Sequence, residues 1–145
     1  MKNPKQQPIF IVEDNPEDYQ VIERSLKKAE VNNDLHHFES GEEIMQFISK
    51  PDTIKPSLIL LDLNLPGTDG REVLRLLKNH PKLKKIPVII FSTSAHEKDI
   101  NDCYQIGANC YIEKPISYRD YLDITVRLRD FWLTCKYTHL SLVDA

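Results

Sequence analysis

No Cys-x-x-Cys pair occurs in this chain, and its three cysteines, Cys103, Cys110 and Cys135, have no histidine at metal-site spacing. A zinc module and a disulfide framework are thereby disfavoured, and the thiols read as small core residues. The adjacent His36 and His37 lack a nearby third ligand. In an alternating segment one of them faces in and the other out, which is packing rather than metal binding. No apolar run approaches the length of a transmembrane helix, so no membrane association is expected. Residues Met1 to Pro8 are charged but lack the apolar stretch of a signal peptide. A cytoplasmic location is the expectation. There is no basic excess either: a net charge of −3 disfavours direct binding of nucleic acid. Low-complexity tracts, internal repeats and linkers are also missing.

What is present suits one globular domain. The 145 residues are 41% hydrophobic and 28% charged, enough to bury a core without disulfides or structural metal. Five strand-like runs alternate with helix-like segments. Ile9 to Val12 is the first strand, and Asn15-Pro16-Glu17-Asp18 then has the cap, the first-turn proline and the acids that start a helix. That helix is expected to reach about Glu30, with Val21, Ile22, Leu26 and Ala29 inward. A polar edge strand over Asp34 to Phe38 precedes a capping box, Ser40-Gly41-Glu42-Glu43. Leu58 to Leu61 forms the third strand, and a helix from about Gly70 to Asn79 stops before Pro81. Val88 to Phe91 is the fourth strand, with a second capping box at Ser94-Ala95-His96-Glu97 opening a helix that ends near Gly107. Cys110 to Glu113 is the fifth strand, and Ser117 caps a long last helix. Strict alternation implies right-handed crossovers: an α/β fold with a doubly wound five-stranded parallel sheet and helices on both faces.

The most informative segment is Leu58-Ile59-Leu60-Leu61-Asp62-Leu63-Asn64-Leu65-Pro66-Gly67-Thr68-Asp69-Gly70. A continuous apolar run suits a strand buried on both faces. It delivers Asp62 to the strand's C-terminal end, where open α/β sheets place their ligand sites. By itself that carboxylate can be a metal ligand, a nucleophile or a loop-forming residue. Its companions narrow the choice. Glu13-Asp14, Asp62, Ser92 and Lys114 all end strand-like runs, and in a parallel sheet all these ends share one edge. Three carboxylates together repel unless a cation joins them. Oxygen-only ligands suit a hard divalent ion, magnesium ahead of calcium. A lysine and a hydroxyl opposite the acids are what a transferred phosphoryl group needs. Taken singly, each residue has an ordinary structural use: acids at a helix start, turn residues at Asp62 and Asp69, a buried hydroxyl, a solvated lysine. Their joint placement at successive strand ends does not follow from those uses.

Over about residues 8–130 these motifs resemble the receiver domain, the response-regulator module of bacterial two-component signalling. The matching residues are Glu13-Asp14, Asp62 in its LLDLNLPGTDG segment, Ser92 and Lys114-Pro115. The resemblance implies a flavodoxin-like fold of receiver type and phosphorylation of Asp62 by a sensor histidine kinase. It implies Mg2+ held by Asp14, Asp62 and the Asn64 backbone carbonyl, with Glu13 acting mostly through water. Lys114 would pair with the acyl phosphate and Ser92 would bond a phosphate oxygen. Asn64 and Ser94 stand where the family tunes dephosphorylation. Tyr111 matches the switch aromatic that follows the Ser92 hydroxyl, and a cis peptide is expected at Lys114-Pro115. The chain is then a phosphoryl acceptor with possible autodephosphorylation, not a conventional turnover enzyme. Glu13 in place of the commoner aspartate is the one departure, and it keeps the charge.

The expected domain is residues 8–135, including an extended last helix, between tails 1–7 and 136–145. No output domain is expected, so a stand-alone regulator would signal by protein contact. Tyr121, Ile124, Leu128, Phe131 and Cys135 form one helical stripe, flanked by Trp132, that docks on the sheet. Leu122, Val126 and Leu133 form a second stripe, and with Phe131 and Trp132 they are the expected homodimer interface. The Asp130-Phe131-Trp132-Leu133 ending also resembles a subgroup of stand-alone receivers paired with phytochrome-type kinases, notably in cyanobacteria. Three rivals fit less well. A pseudo-receiver would be expected to have lost an acid or the lysine. A haloacid-dehalogenase-type phosphatase carries D-x-D after its first strand. A flavodoxin-like cofactor binder wants a Ser/Thr/Gly-rich loop where Glu13-Asp14-Asn15-Pro16 stands.

Overall fold

The computed structural model describes residues 7–133. Five strands, β1 (Ile9–Val12), β2 (Leu35–Phe38), β3 (Leu58–Asp62), β4 (Val88–Ser92) and β5 (Cys110–Glu113), form one parallel sheet in the order β2-β1-β3-β4-β5. Between and after them run α1 (Pro16–Lys28), α2 (Gly41–Ile48), α3 (Gly70–Asn79), α4 (Glu97–Ile106) and α5 (Tyr118–Leu128). The doubly wound architecture is the one expected from the sequence.

Alternation along the buried strands builds two cores. Phe10, Val12, Ile59, Leu61 and Ile90 face α2, α3 and α4, where Ile44, Val73, Leu74, Leu77 and Cys103 meet them. Ile9, Ile11, Leu58, Leu60 and Ile89 face α1 and α5, against Ile22, Leu26, Tyr121 and Leu128. Because β1 pairs with β2 on one side and β3 on the other, strand order reverses beside β1, the point at whose carboxyl ends open α/β sheets place their ligand sites.

Local signals explain most element ends. The Asn15 side chain accepts from the backbone N–H of Glu17 and Asp18, and the Ser40 hydroxyl accepts from Glu43 N–H. The Asp69 carboxylate accepts from Arg71 N–H, so Asp69 caps α3. Gly70 must be glycine, since a Cβ there would lie 2.6 Å from the Leu63 carbonyl oxygen.

Four expectations change. The first helix stops at Lys28 rather than Glu30, because Glu30 adopts a left-handed turn with φ of 62°. The second capping box does not form: α4 begins after His96 without a side-chain cap. The Ser94 hydroxyl instead accepts from His96 N–H and donates to Asp99 at 2.6 Å. No cis peptide occurs among the described residues, so Lys114–Pro115 is trans, the isomer an X–Pro bond favours intrinsically.

The last helix departs most. After α5 the chain makes one π turn, Arg129–Leu133. Closing a turn over five residues puts Leu133 one turn after Leu128, so Leu133 packs into its own chain's core. It is therefore not on the free face where the second stripe put it. Phe131, expected inward, is 65% exposed. Thr125 takes the place expected of Ile124 on the buried stripe, its hydroxyl donating to Tyr121 carbonyl and lying 2.9 Å from the Ser25 hydroxyl. Cys135, residues 1–6 and the tail 136–145 lie outside the described residues; Gln7 is tied down, its carbonyl accepting from Asn33 and Ser57.

Candidate phosphoryl and cation site

Three loops at the carboxyl edge of the sheet converge on one ammonium. β5 ends at Glu113, and the next residue, Lys114, is anchored by its backbone N–H donating to the Ser92 carbonyl at 2.7 Å. Its Nζ then lies 2.9 Å from Glu13 Oε1, 2.9 Å from Asp18 Oδ2 and 3.0 Å from Asp62 Oδ2. Glu13, Asp62 and Lys114 side chains are 1%, 4% and 8% exposed, so these charges meet almost out of water. The remaining Asp62 oxygen accepts from Asn64 N–H at 3.0 Å.

The acids outnumber the cation. Glu13, Asp14 and Asp62 each place one carboxylate oxygen within 4.8 Å of the others, with Asp18 just beyond on α1. Burial first, and then the neighbouring Asp62, push the Glu13 carboxyl from its ordinary 4.5 up to about 8 against the opposing pull of Lys114. Burial alone would depress Lys114. The Asp18 and Glu13 carboxylates beside it, with the charge of Asp62, reverse that and raise it above the ordinary lysine value.

One atom tests whether a cation fits. Glu13 Oε2 accepts from Asn15 N–H, but Oε1 is buried without a hydrogen-bond partner among the described residues. Lys114 is near it in distance and off the hydrogen-bonding direction. An oxygen-only donor set, a surplus of carboxylate charge and this unused lone pair fit a hard divalent ion. A site of this kind also needs donors for transferred oxygens. Ser92, fully buried, accepts from Ser94 N–H at 3.1 Å, and the Asn64 side-chain amide reaches within 3.4 Å. Among the described residues its hydroxyl proton has no acceptor. Tyr111 is half-buried on β5, its hydroxyl donating to the Ser94 carbonyl at 2.9 Å.

The structure thus gathers Glu13, Asp14, Asp62, Asn64, Ser92 and Lys114 at one place. It does not bring the last-helix residues there: Leu122 and Val126 are half-buried on α5, and Phe131 and Trp132 follow it as an edge-on pair with centroids 4.9 Å apart. Asp18 was missed as a site residue. An acid in the first turn after Asn15-Pro16 reads as a helix-dipole partner, and nothing in its spacing marks it as anything else.

Comparison with known proteins agrees with this geometry. The model of the response regulator receiver domain family matches residues 9–125. Response regulator Rcp1 of Synechocystis sp. is 36% identical over 129 residues, spanning 86% of this chain and 88% of Rcp1. The crystal structure of Mn2+-bound Rcp1 superposes with a TM-score of 0.82 at 34% identity, over 91% of this chain and 98% of that one. The phosphorylated cyanobacterial phytochrome response regulator RcpA superposes at 0.84 with 38% identity, over 92% and 99%. Receiver domains bind a divalent metal at this acidic pocket and take their phosphoryl group from histidine kinases. With most of its length matched and relatives above one-third identity aligned nearly end to end, this chain belongs to the response regulator receiver domain family, homologous to Rcp1 and the phytochrome response regulator RcpA.

Proposed function

We propose that Asp62 is the phosphoryl acceptor and that the resident ion is Mg2+, held by Asp14, Asp62 and the Asn64 carbonyl with Glu13 acting through water. The observation that carries this reading is the meeting of Glu13, Asp14 and Asp62 oxygens within 4.8 Å, with Lys114 Nζ 3.0 Å from Asp62. Few protein ligands favour magnesium, which keeps several waters. When bound, the ion neutralises charge on the transferring oxygens.

An Asp62 carboxylate oxygen attacks phosphorus of the kinase phosphohistidine; the new O–P bond forms as the N–P bond breaks, and the imidazole leaves. Lys114 moves one N–H from Asp62 to a phosphoryl oxygen, while Asp18 keeps a second and Glu13 stays its close counter-charge. Ser92 donates its hydroxyl proton to a second oxygen. Ser94 carries the change outward. Its N–H bonds Ser92 and its carbonyl holds Tyr111, so drawing the Ser92 hydroxyl toward phosphate disturbs the Tyr111 anchor. The protein acts as an acceptor rather than a turnover enzyme, and a cytoplasmic location belongs to the same reading. No described helix is long and apolar enough to cross a membrane.

A phytochrome-type histidine kinase is the proposed donor, supported by the likeness to RcpA. The output surface is the last helix and its end, with the edge-on pair of exposed Phe131 and Trp132 and the half-buried Leu122 and Val126. A second copy of the chain is its proposed cover. Incubation with Mg2+ and a small acyl phosphate should add a single phosphate to the intact mass, absent in Asp62→Asn. An unlabelled wild type, under conditions that label other receivers, would count for a pseudo-receiver. Sedimentation of the Phe131→Ala/Trp132→Ala protein should shift to monomer, and an unchanged mass would remove the dimer.

A further inference from the structure

The adjacent histidines of β2 do different work. His36 stacks on Phe10 at 5.6 Å and stands edge-on to Phe47, which is core filling. His37 lies flat on Tyr19 of α1, with ring centroids 3.7 Å apart and planes within 2°. Its Nε2 is 2.8 Å from the Glu13 carbonyl oxygen. A carbonyl only accepts, so Nε2 carries the proton and donates.

That carbonyl belongs to the peptide unit joining Glu13 to Asp14. The unit is planar, so fixing its oxygen fixes ψ of Glu13 and φ of Asp14 together. The directions in which both carboxylates leave the backbone follow from those two angles. On the other side of Glu13, its N–H donates to the Phe38 carbonyl at 3.0 Å. β2 therefore holds both backbone polar groups of Glu13, and one of the two holds is a side chain.

We propose that His37 is a positioning residue for the cation site: it orients the Glu13–Asp14 peptide, and Tyr19 in turn orients the His37 ring. The proposal rests on the reading of Glu13, Asp14 and Asp62 as a Mg2+ site. Groups that orient a metal's ligands without touching the metal change affinity by roughly 10- to 100-fold when removed. The lower end applies here, because the ion keeps much of its water.

The test is the Mg2+ dissociation constant of the full chain by calorimetric titration, with metal-free thermal melts beside it. His37→Phe keeps a ring for Tyr19 and removes the donor, whereas His37→Gln keeps an N–H donor and removes the ring. His37→Phe should weaken Mg2+ binding about tenfold with a near-wild-type melting temperature, and His37→Gln should recover most of the loss. Wild-type affinity in His37→Phe overturns the role. So does a loss in both variants that merely tracks thermal stability. If His37→Phe does not fold, Tyr19→Leu decides: a smaller weakening supports the role and unchanged affinity overturns it. A wild type that fails to bind Mg2+ overturns the cation site and this role with it, whereas normal wild-type binding with an unaffected His37→Phe overturns this role alone.

Discussion

Two partly buried lysines sit at opposite edges of the sheet. Lys114, at the carboxyl edge, is ringed by Glu13, Asp18 and Asp62 and held above the ordinary lysine value. Lys78, at the end of α3, reaches the other edge and among the described residues donates only to neutral oxygens, the Ile86 carbonyl at 3.0 Å and Asn109 Oδ1 at 2.7 Å. Burial with no acid beside it lowers Lys78 to about 8. The same side chain under similar burial is thus driven in opposite directions, and the difference is the carboxylates. An ammonium can be buried with two carbonyls for the sake of packing. Gathering three acids round one ammonium has no such account, and it leaves negative charge that a proton held on Glu13 or a further cation must neutralise.

Removing the ammonium from the acid-rich edge is the strongest way to break the contrast. Lys114→Met leaves buried carboxylates unpaired and should cost about 3 kcal/mol of metal-free stability at neutral pH. Urea melts with and without Mg2+ check it: the deficit should shrink when the ion is present and when acid pH protonates the cluster. A deficit independent of both would make the lysine a packing element like Lys78.

Glu13→Gln sharpens the comparison from the other partner. Glu13 titrates at about 8 in the folded chain and near 4.5 unfolded. Between these values the unfolded chain releases the proton first, so the stability that Glu13 contributes at low pH is lost as pH rises toward 8. The glutamine variant lacks that loss. Its metal-free melting temperature should therefore gain on wild type across this interval, while its Mg2+ affinity falls.

The smallest effect is expected at Lys78. Its folded value of about 8 lies below the ordinary 10.5. The unfolded chain binds more protons between the two, so stability should rise with pH through that window. Lys78→Met should flatten this rise and leave phosphate labelling of Asp62 unchanged. A labelling defect would mean that the two edges are coupled.

Much of the carboxyl edge was readable along the chain. Leu58 to Leu61 suits a buried strand, and an apolar run that stops at Asp62 announces where the strand ends. Glu13-Asp14, Ser92 and Lys114 stop their own strands in the same way. Asp18 and His37 were not readable as site residues. Asp18 has an ordinary use as a first-turn acid, and Lys114, 96 positions away, comes within 2.9 Å only because α1 packs against α5, the helix that follows Lys114. His37 alternates with His36 like any edge-strand pair, and its donor finds the Glu13 carbonyl only because β2 pairs in register with β1. Ser94 has capping-box spacing but gives its hydroxyl proton to Asp99.

The last helix shows the limit most plainly. At 100° per residue Phe131 belongs with Tyr121 and Leu128, and one π turn moves it out and Leu133 in. Strand ends survive such irregularities because sheet pairing re-registers each strand against its neighbour. A helical stripe accumulates every change of pitch along its length. The sequence by itself determined the alternating fold, the edge at which polar residues collect and the acid, hydroxyl and lysine inventory there, because hydrophobic period and chain order encode them locally. Tertiary structure alone decided that Asp18 shares Lys114, that His37 holds the Glu13–Asp14 peptide and which side chains of the last helix are buried among the described residues, because each depends on distances between segments far apart in the chain.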